Sequence, residues 1–212
     1  MENTIKHTSI LERTGVFTED SKRRFELTLK YNGIKGKRVL IIGINPASDN
    51  IQVFDNTTNY LLNNLGTMGY SEIVVWNLFA DICVKLKPCL VESNDDNIEY
   101  LKKLLQSKFD TIIVGWGNTF IGNKAVKEAK SQVYELLKPF AKAVHELVDK
   151  DKKYQSLRCI HPLYAGQRFS GRWELRKYEF PKEKKASKPD KEKVSEEKNE
   201  KPLKGKVAEI KK

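Results

Sequence analysis

Three uninterrupted apolar runs constrain this chain more than any other feature: KRVLIIGI (37–44), EIVVWNLF (72–79) and DTIIVGWG (110–117). A strand wet on one face alternates apolar and polar residues, so continuous runs of this length mark strands covered on both faces. Between the runs the spacing changes to the helical period. Asp55-Asn56-Thr57-Thr58 offers an N-cap for a helix carrying Leu61, Leu62, Leu65 and Met68 inward, and Gly69 ends it. After a loop through Pro88, a cap at Ser93 or Asn94 starts a second helix with Ile98, Leu101, Leu104 and Leu105 on one face. A third helix carries Val126, Ala129, Val133, Leu136 and Leu137. Pro139 restarts or kinks it, and Phe140, Val144, Leu147 and Val148 continue an apolar face.

RFELTL (24–29) alternates and reads as an edge strand, with Asn32-Gly33 as a turn. Residues 157–160 read as a last short buried strand, and 169–180 as a helix or edge segment packing back. Strands alternating with helices of this length predict a three-layer α/β/α sandwich with a mostly parallel central sheet. This domain spans 24–180, after an N-terminal extension (1–23) and before a tail (181–212). The tail holds twelve Lys and seven acidic residues, so it carries +5 of the formal +11 and the body only +6. Such a composition predicts disorder in the tail. The mild basicity of the body suits an anionic partner, nucleic acid or nucleotide, and equally an ordinary solvated surface.

Cys83, Cys89 and Cys159 form no C-x-x-C pair, which argues against a disulfide scaffold and a four-cysteine metal site and favours a reducing compartment. With no apolar run near the ~20 residues that span a bilayer, and no apolar signal core in MENTIKHTSILERTG, the chain reads as soluble and cytoplasmic, with no membrane partner. His7 and His145 have no ligand-like context, so neither a metal nor another cofactor is expected.

Polar residues follow the buried runs closely. Asn45-Pro46 comes after the first, Asn77-Leu78-Phe79-Ala80 closes the second, and His161-Pro162-Leu163-Tyr164 follows 157–160. Ligands of open α/β sheets bind beyond the carboxyl ends of the strands, so these groups, though scattered in sequence, predict one pocket. Each has a plainer alternative. Pro46 fixes a turn, within which Asn45 either bonds nearby backbone or holds a water or ligand edge. Asp55 either caps its helix or activates water, with Asp49 a second carboxylate in the same loop; Thr57 and Thr58 share the ambiguity. Asn77 offers a donor and an acceptor together, matching a pyrimidine edge, and needs a partner wherever it is buried. Phe79 either stacks on a base or closes the core, and Trp116 suits packing. His161 either bonds backbone or donates to a developing oxyanion. Arg168, Arg172 and Arg176 follow it and suit phosphates.

The order GINP, VVWNLFA, IIVGWGNT and IHPLYAGQRFSG resembles the uracil-DNA glycosylase superfamily. More closely, over about residues 24–178, it resembles a bacterial family catalogued as domain of unknown function 1643. The resemblance implies that Asn45 positions water, Asn77 reads the base and His161 stabilises the oxyanion of the leaving base. It also implies that Leu163 lies in the loop that wedges into DNA when a base is flipped, with Tyr164 and Arg168 beside it. This chain departs from the pattern in three respects. Asn45 stands where the more active glycosylases have Asp, although a mismatch-specific branch carries Gly-Ile-Asn-Pro. Leu163 replaces the serine usual after His-Pro, and the iron–sulfur cysteines of some branches are missing. The implied activity is hydrolysis of the N-glycosidic bond of a damaged or modified base in DNA. A pocket for a free, modified nucleotide or nucleoside, or a nucleic-acid-binding module without catalysis, fits the same residues.

Overall fold

The computed structural model describes residues 4–87, 94–151, 153–169 and 172–181. Seven strands, β1 (Ile10–Phe17), β2 (Arg24–Asn32), β3 (Lys37–Gly43), β4 (Tyr70–Asn77), β5 (Thr111–Val114), β6 (Val144–Asp149) and β7 (Trp173–Lys177), form one sheet in the order β1-β2-β4-β3-β5-β6-β7. Among the described residues the α-helices are α1 (Asn56–Thr67), α2 (Asp95–Leu104), α3 (Lys124–Leu137) and α4 (Pro162–Arg168). No helix there is long and apolar enough to cross a membrane. Pro88, Cys89, Ser93 and tail residues 182–212 lie outside the described residues.

The apolar runs do form the strands covered on both faces. In β3, Leu40 and Ile42 face a core completed by Ile98 and Leu101 of α2 and by Val126, Val133 and Leu137 of α3. Val39 and Ile41 face the opposite core, built with Leu61, Leu62 and Leu65 of α1 and Ala165 of α4. One strand thus serves two layers by alternation, and each such Leu or Ile, once fully buried, contributes about 1.5–3 kcal/mol.

The sheet is mixed rather than mostly parallel. β4, β3, β5 and β6 are mutually parallel, whereas β1–β2, β2–β4 and β6–β7 are antiparallel. β2 is not an edge, because β1 from the N-terminal segment covers it. ILERTGVF is only half-buried along its length and carries no apolar run to announce a strand.

Residues 138–160 also depart from the expected pattern. The expected helical continuation through Val144, Leu147 and Val148 is strand β6. Pro139 ends α3 in a 3₁₀ turn at Lys138–Phe140, and the chain reverses before β6 begins. An apolar run this short fits either period, which is why spacing misassigns it. Residues 157–160 form no strand. Cys159 takes a left-handed φ of +50°, which an extended strand excludes.

That irregular segment is held by side chains in place of a ladder. Arg176 of β7 donates to the Gln155 and Leu157 carbonyls at 2.8 and 3.0 Å. The Cys159 amide donates to Glu146 of β6 at 2.8 Å, and its carbonyl accepts from the Gly117 amide at 2.8 Å.

Asp55 caps α1 as its sequence context predicts, accepting from the Thr58 amide at 2.6 Å. Asp55→Ala is expected to cost about 1 kcal/mol, within the 0.5–2 kcal/mol usual for a lost cap, read as a lower urea midpoint at unchanged slope.

Candidate functional site

The parallel strands β3 and β4 end side by side, with Gly43 paired to Asn77. The chain then leaves β3 as Ile44-Asn45-Pro46, and the Leu78 and Phe79 amides bond back to the Gly43 and Ile44 carbonyls at 3.0 and 2.9 Å. A Cβ at position 43 would fall on Asn77 Oδ1, so glycine there lets the Asn77 side chain lie across the end of β3. The segment clamped by Glu146 and Arg176 delivers His161 to the same end of the sheet, where its Cβ lies 3.3 Å from where a Cβ of Gly117 would be.

Together these ends enclose a cavity of about 230 Å³. At ~30 Å³ per molecule of liquid water, it has room for a small planar ligand such as a nucleobase. Asn45, Pro46, Asp55, Thr57, Thr58, Asn77, His161, Pro162 and Leu163 line it, so the three scattered motifs converge.

The hydrogen bonds restrict what each group can do. Asn45 Nδ2 donates to the Cys83 carbonyl at 2.6 Å and to the Pro46 carbonyl at 3.0 Å. Its amide is therefore oriented, and among the described residues Oδ1 has no partner. Asn77 is 5 % exposed, and its carbonyl accepts from Asn97 Nδ2 of α2 at 3.0 Å. Its own Nδ2 is buried without a partner among the described residues. An unmade hydrogen bond on a buried amide costs roughly 1–3 kcal/mol, so the group calls for a ligand or water.

His161 both bonds backbone and lines the cavity. It caps α4 by accepting from the Leu163 amide at Nδ1, 3.1 Å away. An accepting Nδ1 carries no proton, so the neutral ring is the Nε2–H tautomer, a donor. Burial pushes its pKa below the ordinary 6.5, with Asp55 pulling the other way. Because the unfolded chain takes up this proton first, His161 contributes stability that is complete above about pH 6.5 and lost as pH falls through the depressed folded value. NMR titration is expected to find His161 taking up its proton at lower pH than a free histidine does.

Other residues named from the sequence lie elsewhere. Phe79 is 3 % exposed and packs in the α2/α3 core, as does Trp116. That placement favours core closure over stacking. Two apolar residues in succession, Leu78 and Phe79, are both buried because the chain is leaving the sheet, so alternation no longer sorts them. Leu163 is half-buried in the cavity wall, and the neighbouring exposed group is Tyr164 at 38 %. Tyr164 lines an adjoining cavity of about 410 Å³ with Gly117, Leu157 and Ile160, and His161 borders both cavities. The Arg168 guanidinium lies 5.9 Å from the Tyr164 ring. Arg172 is exposed and lines neither cavity. Arg176 is committed to Glu146 and the 155–157 backbone. Asp49 lies in the wall of a more open depression with Asp20, Asp81 and Lys22. No group of three or more His, Cys, Asp or Glu among the described residues is placed to hold a metal ion.

Sequence reasoning missed Arg24, Cys83 and Val84 in the wall, and Asn94 and Asn97 behind Asn77. The available signal was the Asn94–Asn97 spacing at a helix start, which places both side chains against the preceding loop. Asn94 Nδ2 donates to the Leu78 carbonyl at 2.7 Å.

A family model described as a protein of unknown function (DUF1643) matches residues 24–163. The match begins at Arg24 and ends at Leu163, both of which line the cavity. No curated protein and no solved structure matches the chain.

Proposed function

The chain belongs to the DUF1643 family, and we propose that its cavity recognises a nucleobase and that the domain hydrolyses an N-glycosidic bond. The observation that carries this reading is the Asn77 Nδ2, without a partner among the described residues, in the wall of a cavity shared with His161 and Asn45. In it, Asn77 Nδ2 donates to a base carbonyl. Asn45 Oδ1 accepts from a water, its amide nitrogen already anchored on the Cys83 carbonyl.

In the reaction, the bond from C1′ of the sugar to the base nitrogen breaks and its electron pair leaves on the base. Negative charge gathers on a base oxygen, where the neutral Nε2–H of His161 stabilises it. The water oxygen bonds to C1′, and the proton it releases ends on the departed base. An amide takes up no proton, so Asn45 positions the water without activating it. Asp55, exposed at the cavity and already accepting from the Thr58 amide, supplies negative potential towards the cationic sugar.

The test is base release from duplexes and single strands carrying uracil, hydroxymethyluracil, hypoxanthine or mismatches. Release with formation of an abasic site supports the reading. DNA binding that falls with salt and yields no abasic product would leave a binding module instead.

A further inference from the structure

Arginines in this protein divide into two sets. Among the described, partly buried ones, Arg23 pairs with Asp96, Arg38 with Glu72, and Arg158 and Arg176 with Glu146. Arg13 and Arg24 have no such carboxylate. The Arg24 side chain makes one hydrogen bond, Nη1 to the Ser48 carbonyl at 3.3 Å, and its buried Nε has none. Arg13 stacks on Phe54 with its guanidinium 4.1 Å from the ring centroid and reaches the Val53 carbonyl at 3.4 Å. Its Nε and Nη1 are buried without partners.

Among the described residues, Arg24 is also the only Lys or Arg in the cavity wall, and Asp55 the only carboxylate. Asp55 is exposed and committed in part to its helix cap. The local sum of Arg13, Arg24 and Asp55 is one positive charge. Burial lowers the Arg24 pKa to about 10 despite the opposing pull of Asp55, with the Arg13 charge lowering it further. Holding a desolvated guanidinium with no carboxylate in ion-pair contact is costly, and its planar fork matches the oxygens of a phosphate.

We propose that Arg24, reinforced by Arg13, is the anion subsite of this cavity and holds a phosphate of the bound ligand. This rests on the nucleobase reading for the rest of the ligand, which then spans from a base at Asn77 to a phosphate at Arg24. The phosphate comes either from a free nucleoside monophosphate or from a nucleic-acid backbone.

Titration calorimetry on the full chain, with Arg24→Met and Arg24→Lys alongside, tests this. The probes are inorganic phosphate, nucleosides of uracil, thymine, cytosine, adenine and guanine, their 5′-monophosphates, and a single-stranded oligonucleotide. At least one monophosphate, or the oligonucleotide, is expected to bind about ten- to a hundredfold more tightly than the matching nucleoside, the range for charge-assisted hydrogen bonds. Arg24→Met should erase that ratio, and Arg24→Lys should keep part of it. A preferred monophosphate identifies a free nucleotide, and binding of the oligonucleotide alone identifies nucleic acid. Nucleoside and nucleotide binding equally, with both unchanged in Arg24→Met, overturns the anion subsite and leaves the nucleobase reading intact. Inorganic phosphate binding as well as any nucleotide, and lost in Arg24→Met, supports the subsite and overturns the nucleobase reading. No binding of any probe overturns both.

Discussion

Glu146→Gln is expected to destabilise the protein by about 3 kcal/mol, the lower end of the range for breaking a buried ion pair from one side. Glu146 is 0 % exposed. Its Oε1 lies 2.6 Å from Arg158 Nε and 3.0 Å from Arg176 Nε, and its Oε2 accepts from the Cys159 amide. Glutamine has nearly the same shape but must turn an NH₂ group towards either the arginines or the Cys159 N–H. Either way a donor meets a donor, and a charge is left uncompensated. The lower end applies because both guanidiniums keep partial access to water. Urea unfolding reads the loss directly. Glu179→Gln, at the exposed outer end of the Arg158 pair, should stay within about 0.5 kcal/mol. If Glu146→Gln costs less than 1 kcal/mol, side-chain clamping is not what holds residues 155–160.

Removing the Nε2–H donor of His161 is expected to slow the proposed base release by about a hundred- to a thousandfold, as for loss of one preorganised oxyanion donor. Alanine would also remove the cap of α4, so His161→Asn is the cleaner replacement. Asparagine is among the best N-cap residues, yet it is too short to place a donor where Nε2 was. The fold should therefore survive while the rate falls. Asn77→Ala should act differently, flattening the preference among bases, because it removes the group proposed to read the base edge. Equal rates for His161→Asn and the parent would take His161 out of the chemistry.

The site was legible where chemistry follows strand ends. Asn45 and Asn77 each close a continuous apolar run, and that position alone placed them in one cavity. Asp55 was legible from its cap pattern. His161 lines the same cavity although the strand expected before it does not exist, because it caps the helix that begins at Pro162. Arg24 was not legible: alternation in RFELTL says which face a residue takes, and nothing local says that β1 covers this strand or that Arg24 ends beside Asp55. The strand at 144–149 where a helix was expected, and the irregular segment at 157–160 where a strand was expected, have the same origin. Their outcome is decided by Cys159 at positive φ and by the ion pairs of Glu146, both set by residues distant in sequence.

The cavity wall draws on residues from Arg24 to Leu163, contributed by strands, loops and helices that meet only in the complete sheet. No fragment of the chain can own the proposed binding site, so whatever binds there binds the native state alone. Occupancy and thermal endurance are then one thermodynamic quantity. A ligand at a hundred times its dissociation constant would add about 2.7 kcal/mol to the native state, a rise in melting temperature of roughly 5–10 °C for a domain of this size. An unlabelled melting scan across a library of metabolites would therefore report the natural ligand without an assay for any reaction.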